Sequence, residues 1–172
     1  MTVIWTQALS GAQDQNDFNL NFGQNFESGL SDVIGKTVDA CTFDLKKQNS
    51  PTMTIQAKIW SDTTTPTVLA TSNETIDAST LTSSFVSYRF TFPTGVLMDV
   101  DYKIGLSFSA ANTTNHVKFS MSTTDVSDTD TERTSDTTGD WEALRSTSFT
   151  MSVEAGGSPT STTLLPPPVA WI

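Results

Sequence analysis

What this chain has little of narrows its reading first. It holds one cysteine, Cys41, so no disulfide can form within it. It holds one histidine, His116, too few with one thiol for a zinc site built from several His and Cys ligands. Basic residues are scarce: nine Lys and Arg stand against nineteen Asp and Glu, for a net charge of −10. Nucleic acid is therefore not an expected partner, because phosphate backbones are held by clustered Lys and Arg. Anionic membrane surfaces are excluded on the same ground. No apolar run approaches the roughly 20 residues of a membrane span, so no membrane insertion is expected. The opening MTVIWTQALSGAQ lacks the basic start and long apolar stretch of a secretory signal. A surface-type composition without an export signal leads us to expect a protein released by lysis, as virion components are; a fragment of a larger secreted protein would also fit.

Helical periodicity is missing too: no long segment repeats apolar residues at i, i+3, i+4 and i+7. What is there is Ser and Thr, about three residues in ten. Thr suits strands because its branched Cβ packs on a pleated surface. Period-2 alternation recurs along the chain. Met53, Ile55, Ala57 and Ile59 share one face, as do Val86, Tyr88, Phe90 and Phe92. The same holds for Tyr102, Ile104, Leu106 and Phe108, for Val117, Phe119 and Met121, and for Phe149, Met151 and Val153. Weaker strands are expected at 3–8, 18–22, 37–45 and 68–74, with turns at QNSP (48–51), SDTTTP (61–66), FPTG (92–95) and AANTTN (110–115). One greasy and one polar face per strand is the mark of antiparallel sheets packed on one side. The expected fold is all-β, an antiparallel β-sandwich (jelly roll) of about 8–9 strands over residues 1–155, with a Gly/Pro-rich arm over 156–172.

Three segments carry a resemblance. KIWSDTTTPTVLATS reads as a strand ending in an aromatic with Ser-Asp, a Pro-containing turn and a Leu-Ala return. VLMDVDYKIGLSFS reads as a later strand entered from a tight turn through an aromatic. GDWEALRSTSFTMSVEA reads as a closing element, Gly-x-Trp and then a final strand. In this order they resemble the choice-of-anchor type R domains, jelly-roll sandwiches of microbial surface proteins and phage structural proteins, over roughly residues 18–155. The chain departs from that pattern where Val100 and Asp101, rather than a Gly, precede Tyr102. The resemblance implies a display or binding module and brings no catalytic residues with it.

Candidate chemistry is thin. The acidic stretch 124–140, TDVSDTDTERTSDTTGD, is expected to be an exposed loop. Within it Asp128, Asp130 and Glu132 set three carboxylates close together, a pattern that suits calcium. It is not an EF-hand: counting from Asp128, Arg133 stands sixth and Gly139 twelfth, where Gly and Glu are needed. Calcium is the only cofactor the sequence suggests, and a solvated acidic loop is the plainer alternative. Cys41, inside the strand-like TVDACTFDL, is expected to be a small buried core residue. His116 has Ser and Asp in plenty around it, but no Gly-x-Ser-x-Gly elbow marks a hydrolase. Trp60, out of register with Ile59, is a candidate for the outer face of a sheet, and Trp141 follows a Gly-Asp turn; both are candidate glycan-stacking residues. The sequons at Asn73 and Asn112 are expected to be coincidental in so Thr-rich a chain.

The last segment, GGSPTSTTLLPPPVAWI, combines a Gly-Gly hinge, a polar spacer and a stiff run, Pro166, Pro167 and Pro168. Leu164, Leu165, Val169, Trp171 and Ile172 would sit along it as apolar anchors. We expect a docking arm. The functional expectation is a non-enzymatic structural protein of a phage-like virion, a capsid decoration or tail component, with other virion proteins and further copies of itself as partners in a homo-oligomer. The alternative is a carbohydrate-binding or adhesin module of the cell surface that recognises surface glycans.

Overall fold

The computed structural model describes residues 1–6, 19–26, 32–61, 67–110, 112–122, 131–135, 141–144 and 148–156, with the backbone alone for residues 5, 19, 131–135, 141–144 and 148. The strands run β1 (Thr2–Thr6), β2 (Asn19–Asn25), β3 (Thr37–Gln48), β4 (Thr54–Trp60), β5 (Val68–Thr71), β6 (Ile76–Asp77) and β7 (Val86–Leu97). They continue with β8 (Lys103–Phe108), β9 (His116–Phe119), β10 (Met121–Ser122), β11 (Thr131–Ser135), β12 (Trp141–Leu144), β13 (Ser148–Phe149) and β14 (Met151–Ala155). One short 3₁₀ turn, Ala78–Thr80, is capped by Asp77, whose side chain accepts from the Ser79 N–H.

Two antiparallel sheets face each other. The first has the order β1-β14-β3-β7, with β9 also on β3; the second has the order β12-β11-β2-β8-β4-β5, with β6 also on β4. β1, β2, β3 and β4 alternate between the sheets, as do β7, β8 and β9, the jelly-roll manner of winding. The long β3 is served along one side by two strands in succession. β14 pairs with Val38 to Phe43 and β9 with Leu45 to Gln48. At the changeover the Ser120 N–H donates to the Asp44 carbonyl and the Thr150 N–H to the Ser120 carbonyl. The neighbouring β10 and β13 then pair with each other, Met121 opposite Phe149.

The alternating apolar residues meet between the sheets. Val38, Cys41, Phe43, Leu45, Phe90 and Val153 come from the first, and Phe22, Ile55, Ile59, Ile104 and Leu106 from the second. A relay of rings crosses the gap: Phe22 to Phe119 at 4.8 Å between centroids, Phe119 to Phe149 at 4.9 Å, Phe149 to Phe43 at 5.5 Å and Phe43 to Phe90 at 6.2 Å. Most meet tilted or edge-on, the arrangement ring quadrupoles favour. Gln24 lies buried among them and its Oε1 accepts the Phe149 backbone N–H at 2.9 Å.

Several sequence expectations are corrected here. FPTG (92–95) is not a turn: β7 runs through it to Leu97. Pairing jumps from Ala40 opposite Thr91 to Val38 opposite Val96, so the Pro93 region bulges away from β3. Proline has no N–H for a ladder, and a bulge is where a strand accommodates it. The stretch 124–140 is not all loop: residues 131–135 form β11, laid between β2 and β12. Val86, read as a core residue, is exposed at the start of β7.

At Thr91 the open side of β7 is met by the segment after β5. The Asn73 N–H donates to the Thr91 carbonyl at 2.8 Å, and Glu74 accepts from the Thr91 N–H at 2.5 Å and the Thr91 hydroxyl at 2.7 Å. Ser72 ties the same segment to the other sheet: its N–H donates to the Ala57 carbonyl and its hydroxyl accepts the Ala57 N–H. Burial alone would raise the Glu74 carboxyl, but the two Thr91 hydrogen bonds and the Arg89 charge outweigh it and hold the carboxyl below its ordinary range. A lowered folded-state pKa contributes stability above the unfolded value, near about 4.3, and loses it as the pH falls through the folded one. Glu74→Ala is expected to cost about 1–3 kcal/mol in urea unfolding at neutral pH, since the Thr91 donors lose their acceptor. The gap from the parent should shrink as the pH drops below the ordinary glutamate value; a constant gap would show that the ionised carboxylate is not what matters.

Candidate functional site

The candidate site is the edge where β1, at the start of the chain, meets β14. β1 lies against β14, with Thr2 opposite Ala155, Val3 opposite Glu154 and Thr6 opposite Ser152. Irregular pairing between Val3 and Trp5 twists the strand. Met1 is 72% exposed and Val3 54% exposed. β1, TVIWT, carries no charge and no proline, the usual devices that blunt an edge strand.

The floor beside it is built from charged groups. Arg89, on β7, reaches across β3 to Glu154: Nε donates to Oε1 and Nη2 to Oε2, both at 2.8 Å. Arg89 Nη2 also donates to the Met1 sulfur at 2.9 Å, so the first residue rests on the ion pair. Hydrogen bonding to Arg89 holds the Glu154 carboxyl low against the upward push of burial, and Glu154 raises Arg89 in return. The fork geometry is the strong form of such a pair. Arg89 is partly exposed, so the pair's share of stability is at most about 1 kcal/mol.

Next to it β14 ends at Ala155, and Gly156 follows. The Asp39 carboxylate, on the bulge of β3, occupies the place where a side chain at Gly156 would begin, and its other oxygen occupies the corresponding place at Gly95. Gly95 of β7 and Gly156, just after β14, thus close around one carboxylate. Gly156, expected as half of a free hinge, is wedged against Asp39. The remaining arm residues, including Leu164, Leu165, Pro166, Pro167, Pro168, Val169, Trp171 and Ile172, lie outside the described residues.

Of the other sequence candidates, Glu132, Trp141 and Trp60 stand on the second sheet, and Cys41 and His116 on the first. Asp128 and Asp130 lie outside the described residues; Glu132 stands on β11 opposite Gly23. Among the described residues no group of three or more His, Cys, Asp or Glu is placed to hold a metal. Trp141 opens β12, opposite Thr134. Trp60 is corrected: it ends β4 only 4% exposed and offers no open ring face for a sugar. The alternation did place it on the outer side of its sheet, but that side is covered at this point. Cys41 is buried as expected, and burial, with the Glu74 and Glu154 charges adding, pushes its thiol far above the usual range, so no thiolate forms there. His116 is buried at the start of β9, opposite Gln48. Sequence reading missed Asp39, Arg89 and Glu154; the charged residue in an otherwise uncharged β14 was the one available signal.

No family model, no curated protein and no solved structure matches the chain. The likeness to choice-of-anchor type R domains gains no support from these comparisons.

Gly156→Ala or Gly95→Ala should each cost about 1–3 kcal/mol by forcing a methyl group into the Asp39 carboxylate. Adding Asp39→Ala to either should restore part of the loss. Melting curves of the single and double variants check this; purely additive losses would show that the carboxylate is not the obstacle.

Proposed function

We propose that this chain is a non-enzymatic structural protein of a phage-like virion, a capsid decoration or tail component, that assembles through its terminal segments. One observation carries the reading. The uncharged edge strand β1, with Met1 and Val3 exposed, lies directly beside β14 and the Asp39-wedged point from which the Leu/Pro/Trp arm departs. An edge strand of that kind is a ready template for another chain. The two segments therefore act from one corner of the sandwich, on a neighbouring virion protein or on a further copy. The virion assignment itself draws on the acidic, Ser/Thr-rich composition and on the resemblance of the three quoted segments. Burial of Cys41 and Trp60 weighs against a thiol enzyme and a Trp60-based sugar platform.

The test is the solution mass of three proteins by light scattering: the full chain, a chain stopped after Gly156, and full-length Val3→Asp. The full chain should be an oligomer, the shortened chain a folded monomer, and Val3→Asp shifted toward monomer. Identical monomers with equal melting temperatures would overturn the assembly reading. Glycan-array hits that vanish with Trp141→Ala would replace it with the adhesin alternative.

A further inference from the structure

Every charged side chain of the sequence lies between Asp14 and Glu154, so both ends of the chain are bare of them. At the first end, β1 is the outermost strand of its sheet and pairs with β14 on one side. Among the described residues no strand pairs with its other side. Val3, opposite Glu154, is largely exposed there. At the last end, residues 157–172 follow Gly156, and their sequence is divided by its prolines. Between Pro159 and Pro166 stands TSTTLL, residues 160–165. Its threonines suit a pleated surface. In period 2, Thr160, Thr162 and Leu164 would share one face and Ser161, Thr163 and Leu165 the other. The stretch matches the five residues of β1 in length. The flanking prolines lack an N–H, so they confine pairing to that stretch and to a sheet edge.

Direction decides which copy supplies that stretch. β1 runs antiparallel to β14. An arm that continued its own β14 and turned back past β1 would therefore run parallel to β1. Parallel neighbours need a crossover of about a dozen residues or more. Only residues 156–159 separate Ala155 from Thr160. An arm from a second copy is free of that restriction and can lie antiparallel, the slightly more stable pairing. We infer that residues 160–165 of one copy add as an antiparallel strand to the free edge of β1 in a second copy. In strand addition of this kind, main-chain hydrogen bonds give affinity and side-chain fit gives selectivity. A leucine of the incoming stretch covers Val3. Two chains of net charge −10 thus meet through segments that bring no charged side chain to the contact. The inference rests on the assembly reading above and names its partner.

The described strands, β1 to β14, all lie before Gly156, so a chain stopped there keeps the whole sandwich. It has the edge and no arm. Full-length Val3→Asp has the arm and a charged edge, which resists strand addition. The test mixes the two and reads their mass by light scattering. Each alone should be a monomer, and the mixture a heterodimer. Adding Thr162→Pro and Thr163→Pro to the Val3→Asp chain should abolish the heterodimer, because one of those two N–H groups must face the ladder. A mixture that stays monomeric while the full chain is an oligomer overturns the inference and leaves the assembly reading standing. A stopped chain that dimerises alone overturns it too, since β1 then pairs with β1. So does a Val3→Asp chain that stays oligomeric, since its arm then docks elsewhere. A full chain that is itself monomeric overturns both readings. Should Val3→Asp fail to fold, a synthetic peptide of residues 158–172 added to the stopped chain decides. The β1 amides should gain protection from hydrogen exchange, and unchanged exchange overturns the inference.

Discussion

A sandwich of two sheets is only as closed as its sides, and on one side of this molecule the closure passes through Thr91. Its N–H and hydroxyl both go to the Glu74 carboxylate, and its carbonyl receives the Asn73 N–H. Without that contact the Thr91 backbone, on the end strand of the first sheet, would lose these partners. Ser72, immediately before, is bonded to Ala57 of the second sheet, so the same three residues set where the two layers sit along each other. The Pro93 bulge follows from the same arrangement. β7 need only stay in register with β3 as far as Thr91, and beyond it the chain is free to loop out around Asp39 before rejoining at Val96. Asp39 then fills the space the bulge opens, and Gly95 and Gly156 are bare because Asp39 is there.

Inside, the sheets are joined by rings rather than by a uniform aliphatic filling. The relay from Phe22 to Phe90 crosses from one layer to the other through Phe119 and Phe149. Those two residues sit where β9 gives way to β10 and β13 to β14. The backbone irregularity and the aromatic contact are thus one feature. A strand that changes partners leaves an N–H inside the core, and Gln24 accepts it at Phe149. Buried polar atoms are tolerated where they complete such a ladder.

Much of this was legible in the residues, because period 2 is a direct physical signal. Ile104, Leu106 and Phe108, or Phe149, Met151 and Val153, can share a face only in a strand, and they do. What was not legible depended on which surfaces are covered. Trp60 and Lys103 fall at outward positions by alternation, and nothing local says that the far side of the sheet is buried there. FPTG carries the chemistry of a turn, yet a wide bulge uses the same residues, and only the partner strand distinguishes them. The acidic run was too polar to read as a strand, but Thr131 and Thr134 suit a pleated surface and β2 offered an unpaired side. The Arg89–Glu154 fork joins strands far apart in sequence, and no spacing rule brings such residues together.

Charge decides what kind of contact the terminal corner can make. A chain of net charge −10 repels its copies at long range. That repulsion is screened beyond about 8 Å at physiological salt, so attraction has to come from short-range apolar and backbone contacts. Most of the surface is ill suited to supply them. Lys46 and Lys118 stand opposite each other where β3 meets β9. β1 differs: it has no charged side chain of its own, and Glu154, opposite Val3, is paired with Arg89. The ion pair stabilises the fold little, but it offsets the Glu154 charge beside this edge. Arg89 thereby links the sheet to the place where an incoming strand would meet the least electrostatic resistance.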